Sequence, residues 1–299
     1  MNPLENCRLC PRSCGADRTK GAAGFCGAGA SVKIARAALH FWEEPCISGR
    51  SGSGTVFFSH CSLQCVYCQN YQISTGHKGY FLSIPELADT FLNLQEQHAH
   101  NINLVTPTHF IPQTASALRM AKKNGLNLPI VYNSSGYECV EALKQMEGLV
   151  DIYLPDFKYW NGRYALQYSK APGYRQAAQA ALVEMYRQVG TVVFDPSGLL
   201  KRGMVVRHLM LPGLLFDSKK IIDYLFDTYG DSIYISIMSQ YTPLPHVAKI
   251  KELNRPLPAG HYEAMVRYCM ERGITNAYIQ DGAAAKESFI PSFDDQPPK

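Results

Sequence analysis

Residues 55–70 read TVFFSHCSLQCVYCQN, a short apolar run that empties into a loop carrying three cysteines. TVFFS (55–59) has the β-branched and aromatic composition of a strand. Cys61, Cys65 and Cys68 follow it as C-x3-C-x2-C, so one loop at the end of that strand gathers three thiols. Three thiolates within eight residues can hold three corners of an iron–sulfur cube and leave one iron open to another ligand. The competing chemistry is a zinc knuckle that borrows a fourth ligand such as His60.

Outward from this loop the chain alternates between apolar strands and amphipathic helices. Strands are predicted at INLVT (102–106), PIVYN (129–133), DIYLP (151–155) and SIYISIM (232–238), with a hairpin in VVFDPSGLLKRGMVV (192–206) leading into RHLML (207–211). Helices are predicted over 83–97, near 112–124, near 138–147, around 173–189, near 218–228 and near 259–272. The first places Ile84, Leu87, Ala88, Phe91 and Leu92 on one face, with Ser83 and Glu86 as a capping box, and Gly273 fits the C′ position of the last. Strands alternating with helices of this length build a parallel sheet of βαβ units. About six units predict an α/β fold, a partial (β/α)6 barrel over 51–299, with function at the C-terminal ends of its strands.

Residues 1–50 differ. They are rich in Gly, Cys and Arg and show no sustained period of 2 or 3.6, so they are expected to need a metal or a docking surface to become ordered. Cys7, Cys10, Cys14 and Cys26 offer four ligands, a set that suits structural zinc or a second [4Fe–4S] cluster. Cys139 and Cys269 read as packing, the latter on a face with Tyr262, Met265, Val266 and Met270. Cys46 is a spare ligand or nothing, and the tail FDDQPPK (293–299) reads as frayed.

Composition narrows the classes. Apolar residues at 46% and charged residues at 18% describe a globular chain of 299 residues, not a disordered one. Lys+Arg 29 against Asp+Glu 25 leaves only +4, which gives no argument for nucleic acid. No apolar run has the length of a membrane helix, and MNPLENCRLC lacks the layout of a secretory signal. The expectation is a soluble cytoplasmic protein with no membrane or nucleic-acid partner, whose seven clustered cysteines, of ten in all, serve metals rather than disulfides.

With an aromatic, Tyr67, before its last cysteine, the C-x3-C-x2-C loop resembles the radical S-adenosylmethionine (SAM) superfamily. The strings CRLCPRSCGADRTKGAAGFCG (7–27) and CSLQCVYCQNYQIS (61–74) resemble one branch of it, the pyruvate formate-lyase activating enzyme-like (PflX-type) proteins, over nearly the whole chain. The resemblance implies a [4Fe–4S] cluster on Cys61, Cys65 and Cys68 whose open iron binds SAM, and reductive cleavage of SAM to a 5′-deoxyadenosyl radical that abstracts hydrogen from a substrate. It also implies an electron donor such as flavodoxin or ferredoxin.

Further cofactor contacts carry over by position. Where the family commonly has Gly-Gly-Glu for the SAM amino group, this chain has Thr106-Pro107-Thr108-His109, which leaves Thr106 and Thr108 as candidates, through a backbone carbonyl or the Thr108 hydroxyl, and His109 as a cofactor, substrate or structural residue. Asn133-Ser134-Ser135-Gly136 resembles the stretch lining the ribose and methionine, and Asp156 with Lys158 matches the Asp-x-Lys beside the SAM carboxylate. Arg207 opens Arg-x-x-x-x-Pro-Gly, while Ser239-Gln240-Tyr241-Thr242-Pro243 replaces the activases' Pro-Tyr-His. Three functions follow: activation of a glycyl-radical partner protein, radical chemistry on a small molecule or on another protein or peptide, and a zinc-binding interaction protein using both cysteine groups structurally.

Overall fold

The computed structural model describes residues 2–280 and Phe293. In chain order the elements are β1 (Val32–His40), α1 (Pro45–Ser48), β2 (Ser53–Phe58), α2 (Tyr71–Ser74), β3 (Tyr80–Leu82), α3 (Ile84–Glu96), β4 (Ile102–Val105), α4 (Ile111–Lys123) and β5 (Ile130–Ser134). There follow α5 (Val140–Leu143), β6 (Ile152–Pro155), α6 (Gly162–Ser169), α7 (Tyr174–Val189), β7 (Val193–Phe194), β8 (Leu200–Leu209), α8 (Leu215–Tyr229), β9 (Tyr234–Met238), α9 (Ala259–Glu271) and β10 (Ala277–Ile279). The sheet runs β10-β9-β8-β6-β5-β4-β2-β1-β3, with β7 paired to β8. From β2 to β10 every neighbouring pair is parallel. The sheet is therefore the expected partial barrel, single-wound and open at both edges.

Side-chain alternation along the strands sorts the interior into two layers. Ile130, Tyr132, Tyr153, Met204 and Val206 face the helices and join the large core with Leu87, Phe91, Leu118, Leu182 and Ile222. Val131, Ile152, Leu154 and Val205 point the other way and form a smaller apolar core with Cys46 and Ile47 of α1. Two residues further along the same strands the inward side chains become Asn133, Asp156 and Arg207. Period 2 thus gives the lumen an apolar floor and a charged upper wall.

Local chemistry sets the helix ends. Glu86 N–H donates to Ser83 Oγ at 3.3 Å and Ser83 N–H donates to the Glu86 carboxylate at 2.7 Å, the reciprocal cap read from the sequence, a type of cap worth about 1 kcal/mol. Gly273, at φ +76°, follows α9 as a left-handed C′ residue.

Four readings change. Residues 32–40, placed in a periodless arm, form the nine-residue β1, antiparallel to both β2 and β3. Near 138–147 the helix is α5 followed by a 3-10 turn at Lys144–Met146. On α9, Cys269 and Met265 are buried as expected, but Met270 turns to solvent. The tail lies outside the described residues except Phe293, which is buried with its ring edge-on to Phe57 at 5.5 Å. α6 has no counterpart among the predicted helices; Asn161 caps it by accepting from Arg163 N–H at 2.9 Å.

Candidate active site

At the C-terminal ends of the strands a cavity of about 610 Å³ opens, lined by Cys65, Tyr67 and Cys68 from the cysteine loop and by Asn133, Asp156, Lys158 and Arg207 from β5, β6 and β8 with their following loops. The cysteine loop is tightly turned, with His60 and Gln64 both at positive φ, and Cys65 and Cys68 lie near enough to Cys61 to act on its thiol. Burial and then the neighbouring Cys65 and Cys68 push the Cys61 thiol up to about 12; burial and then Cys65 push Cys68 up. Half-buried thiols of this kind lose their protons to a bound metal. Two donors already face the sulfurs: Leu63 N–H lies 3.3 Å from Cys61 Sγ, and the Ser169 hydroxyl 2.9 Å from Cys65 Sγ. Three thiols, sulfur-directed donors and an adjoining cavity fit an iron–sulfur cluster with one open iron.

The charged wall is one connected network. Lys158 Nζ meets Asp156 Oδ2 at 2.6 Å, and Arg207 Nε meets Asp156 Oδ1 at 3.0 Å. Arg207 continues to Glu43 Oε2 at 3.0 Å and Asn133 Oδ1 at 2.5 Å. Burial works to raise Asp156, but Lys158 and Arg207 outweigh it and hold the carboxyl below its ordinary range. Burial likewise works to lower Lys158, yet Asp156 keeps the ammonium above its usual value. Both stay ionised, and Lys158 has two further N–H donors with which to meet an anion in the cavity.

Glu43 and Glu44, absent from the residues singled out above, enter the lumen from the turn after β1. Glu43 Oε1 accepts from Asn103 Nδ2 at 3.1 Å and from Asn133 Nδ2 at 3.3 Å. Glu44 lines the cavity with one carboxylate oxygen unpartnered; burial raises it, against Arg207. The signal that could have found them is their charge beside an apolar helix start, Glu-Glu-Pro-Cys-Ile.

Other candidates lie elsewhere. Thr106, Thr108 and Ser134 do not line the cavity. Thr108 Oγ1 donates to Glu138 Oε1 at 2.7 Å and Ser134 Oγ to Glu138 Oε2 at 3.2 Å. Burial raises Glu138 from 4.5 to about 7. Buried His109 pairs its Nε2 with the Ser59 carbonyl at 2.6 Å and also stays outside the cavity. Gln240 reaches it, whereas buried Tyr241 donates its hydroxyl to the Leu253 carbonyl at 2.6 Å. Cys46 belongs to the apolar floor.

The N-terminal cysteines dock on the barrel rather than standing apart. Leu4, Cys7, Leu9 and Cys26 join the main core, and buried Arg18 donates to the carbonyls of Gly29 and His109, each at 2.5 Å. Burial pushes Cys10 up to about 12, with Cys26, Cys7 and Cys139 adding to the rise. Cys139 packs partly buried against the main core, as read from the sequence, and its N–H donates to the Leu9 carbonyl at 3.4 Å beside this group. Among the described residues no three His, Cys, Asp or Glu side chains form a ready-made cage for a metal ion.

A sequence model of the radical SAM superfamily matches residues 55–225, the span from β2 through α8. An uncharacterized protein of Methanocaldococcus jannaschii, MJ0674, is 29% identical over 268 residues, covering 86% of this chain and 72% of that protein. Among solved structures, a radical SAM methyltransferase from Sphaerobacter thermophilus superposes with a TM-score of 0.53 at 15% identity over 76% of this chain. HydG, a maturase of the [FeFe]-hydrogenase, superposes with 0.50 at 14% identity over 77%. This chain spans 66% and 52% of those two chains, and at such identities the likeness is one of fold. The three-cysteine loop at the end of β2 lies inside the matched span, and the chain belongs to the radical SAM superfamily.

Proposed function

We propose that Cys61, Cys65 and Cys68 hold a [4Fe–4S] cluster whose open iron takes SAM, and that this chain uses the pair to abstract hydrogen from a substrate. The observation that carries the reading is the single cavity that runs from Cys65 and Cys68 to the ionised Lys158. When bound, the cluster and SAM together supply a 5′-deoxyadenosyl radical. The chain's own groups do the rest. Lys158 donates to the SAM carboxylate, Asp156 fixes the Lys158 ammonium and is itself held by Arg207, and Asn133 presents its amide to the ribose and methionine portion. Tyr67, buried beside Cys68, keeps water from the loop.

The Asp-x-Lys pair and the Arg-x-x-x-x-Pro-Gly stretch support a PflX-type activase that acts on a glycyl-radical partner, with flavodoxin or ferredoxin as electron donor in the cytoplasm. A second reading, direct chemistry on a small molecule or on another protein or peptide, is favoured by the lower cavity. There α1 closes the floor and Glu44 leaves an acceptor oxygen for a hydrogen-bond donor. We assign Cys7, Cys10, Cys14 and Cys26 to zinc or a second [4Fe–4S] cluster. No helix among the described residues is long and apolar enough to cross a membrane.

Anaerobic reconstitution with iron, sulfide and zinc analysis tests both sites. Replacing Cys10 and Cys14 with Ala should remove the metal of that site, one zinc or four irons, and leave the spectrum of the SAM-binding cluster intact. Loss of both signals in a folded variant contradicts the division.

A further inference from the structure

The contact between Ser169 and Cys65 is held from two sides. Ser169 ends α6, and its hydroxyl donates to Cys65 Sγ at 2.9 Å. Tyr159 Oη lies 2.7 Å from Ser169 Oγ and 2.7 Å from Tyr67 Oη, so the tyrosine that precedes Cys68 helps to fix the serine rotamer. From the other side comes Arg12, between Cys10 and Cys14. Its Nη2 donates to the Ser169 carbonyl at 3.1 Å, its Nη1 to the Lys170 carbonyl at 2.8 Å and its Nε to the Ser62 carbonyl at 2.5 Å. The guanidinium carbon sits 3.4 Å from the centre of the Phe25 ring, and the Phe25 carbonyl accepts from Gln64 Nε2 at 2.9 Å. One planar fork from the arm thus grips both Ser62 in the cysteine loop and the end of the helix that carries Ser169.

We propose that Ser169 and Arg12 are positioning residues that set the reduction potential of the cluster held by Cys61, Cys65 and Cys68, Ser169 by donating to the Cys65 sulfur and Arg12 by holding that donor in place. This rests on the assignment of those thiols as cluster ligands. Reduction adds negative charge to the cluster and its sulfurs, so a fixed donor favours the reduced form, and hydrogen bonds to sulfur are among the factors that set such potentials. A fork of fixed N–H groups can bind three carbonyls at once; a lysine ammonium on a flexible stem cannot reproduce that geometry.

The test is an anaerobic redox titration followed by electron paramagnetic resonance on reconstituted wild type, Ser169→Ala, Ser169→Thr and Arg12→Lys, with iron counted in each. Ser169→Ala should shift the oxidised-to-reduced ratio at fixed potential by about 3- to 10-fold toward oxidised, about 28–59 mV more negative at 59 mV per decade for one electron. Ser169→Thr, which keeps the hydroxyl, should stay near wild type. Arg12→Lys, which keeps the charge, should move with Ser169→Ala. Chelator-driven bleaching needs no reduction, and it should run at least threefold faster in Ser169→Ala and Arg12→Lys, including for any variant that loads poorly.

A Ser169→Ala variant that matches wild type in potential and bleaching overturns the proposal, as does Ser169→Thr shifting as far as Ser169→Ala. Arg12→Lys matching wild type removes Arg12 from it. If wild type itself assembles no four-iron cluster, the assignment beneath is what fails.

Discussion

Arg207→Met should be among the most damaging single substitutions in the lumen. The change deletes three contacts: Asp156 Oδ1 at 3.0 Å, Glu43 Oε2 at 3.0 Å and Asn133 Oδ1 at 2.5 Å. Asp156 keeps a cation, because Lys158 stands 2.6 Å from its other oxygen. Glu43 does not: it retains only the amides of Asn103 and Asn133 at 3.1 and 3.3 Å. With the Arg207 side chain 14% exposed and Glu43 10%, solvent does little to screen the stranded carboxylate. Removing one partner of such a buried pair costs about 3–5 kcal/mol. Adding Glu43→Gln should return roughly 1–3 kcal/mol of that, since the stranded charge is then gone. Urea unfolding of the metal-free reduced chain measures both, with Lys144→Ala as the control. Lys144 pairs with Glu141 at 48% and 82% exposure, so its loss should leave stability close to wild type. An Arg207→Met variant within about 1 kcal/mol of wild type refutes the argument, as does a Glu43→Gln addition that worsens it.

Two further outcomes follow from the same cavity and its surroundings. Lys158→Ala removes an ion-paired ammonium that faces the cavity, a charge-assisted bond of about 1.5–3 kcal/mol. SAM affinity by anaerobic titration should then fall about 10- to 150-fold with iron content unchanged, and wild-type affinity would return Lys158 to a structural role. Glu138 holds its proton more tightly in the folded chain, near 7, than in the unfolded chain, near 4.5. Its contribution is therefore complete below about pH 4.5 and is lost as the pH rises through about 7, on the order of 3 kcal/mol in all. Glu138→Gln should flatten that part of the stability–pH profile and gain stability at pH 8; an unchanged profile contradicts the burial argument.

What the sequence disclosed was local. The cysteine spacing and the period-2 relation of Asp156 to Lys158 depend on residues within one loop or one strand end, so they could be read without the fold. Strands β4, β5 and β6 were legible because parallel strands buried on both faces read as continuous apolar runs. β1 was not: its Ala35, Ala37 and Ala38 carry weak strand preference, and pairing with β2 makes it a strand. Glu43 meets Arg207 across 164 residues of chain, a distance no spacing argument spans. Thr108 and Ser134 read as cofactor contacts, but buried Glu138 accepts from both hydroxyls. Cys139 shares a spacing with buried Leu143 and Met146 and packs against the same core, while the Leu9 carbonyl that accepts from its N–H at 3.4 Å belongs to a segment no spacing links to it.

The central claim is that Cys61, Cys65 and Cys68 carry the chemistry. The most direct measurement is 5′-deoxyadenosine released from SAM under dithionite by anaerobically reconstituted protein, wild type against the triple Ala variant. Wild type should release product and the triple variant none, while the circular dichroism of that variant should remain that of the folded metal-free chain. A folded triple variant that still releases 5′-deoxyadenosine contradicts it.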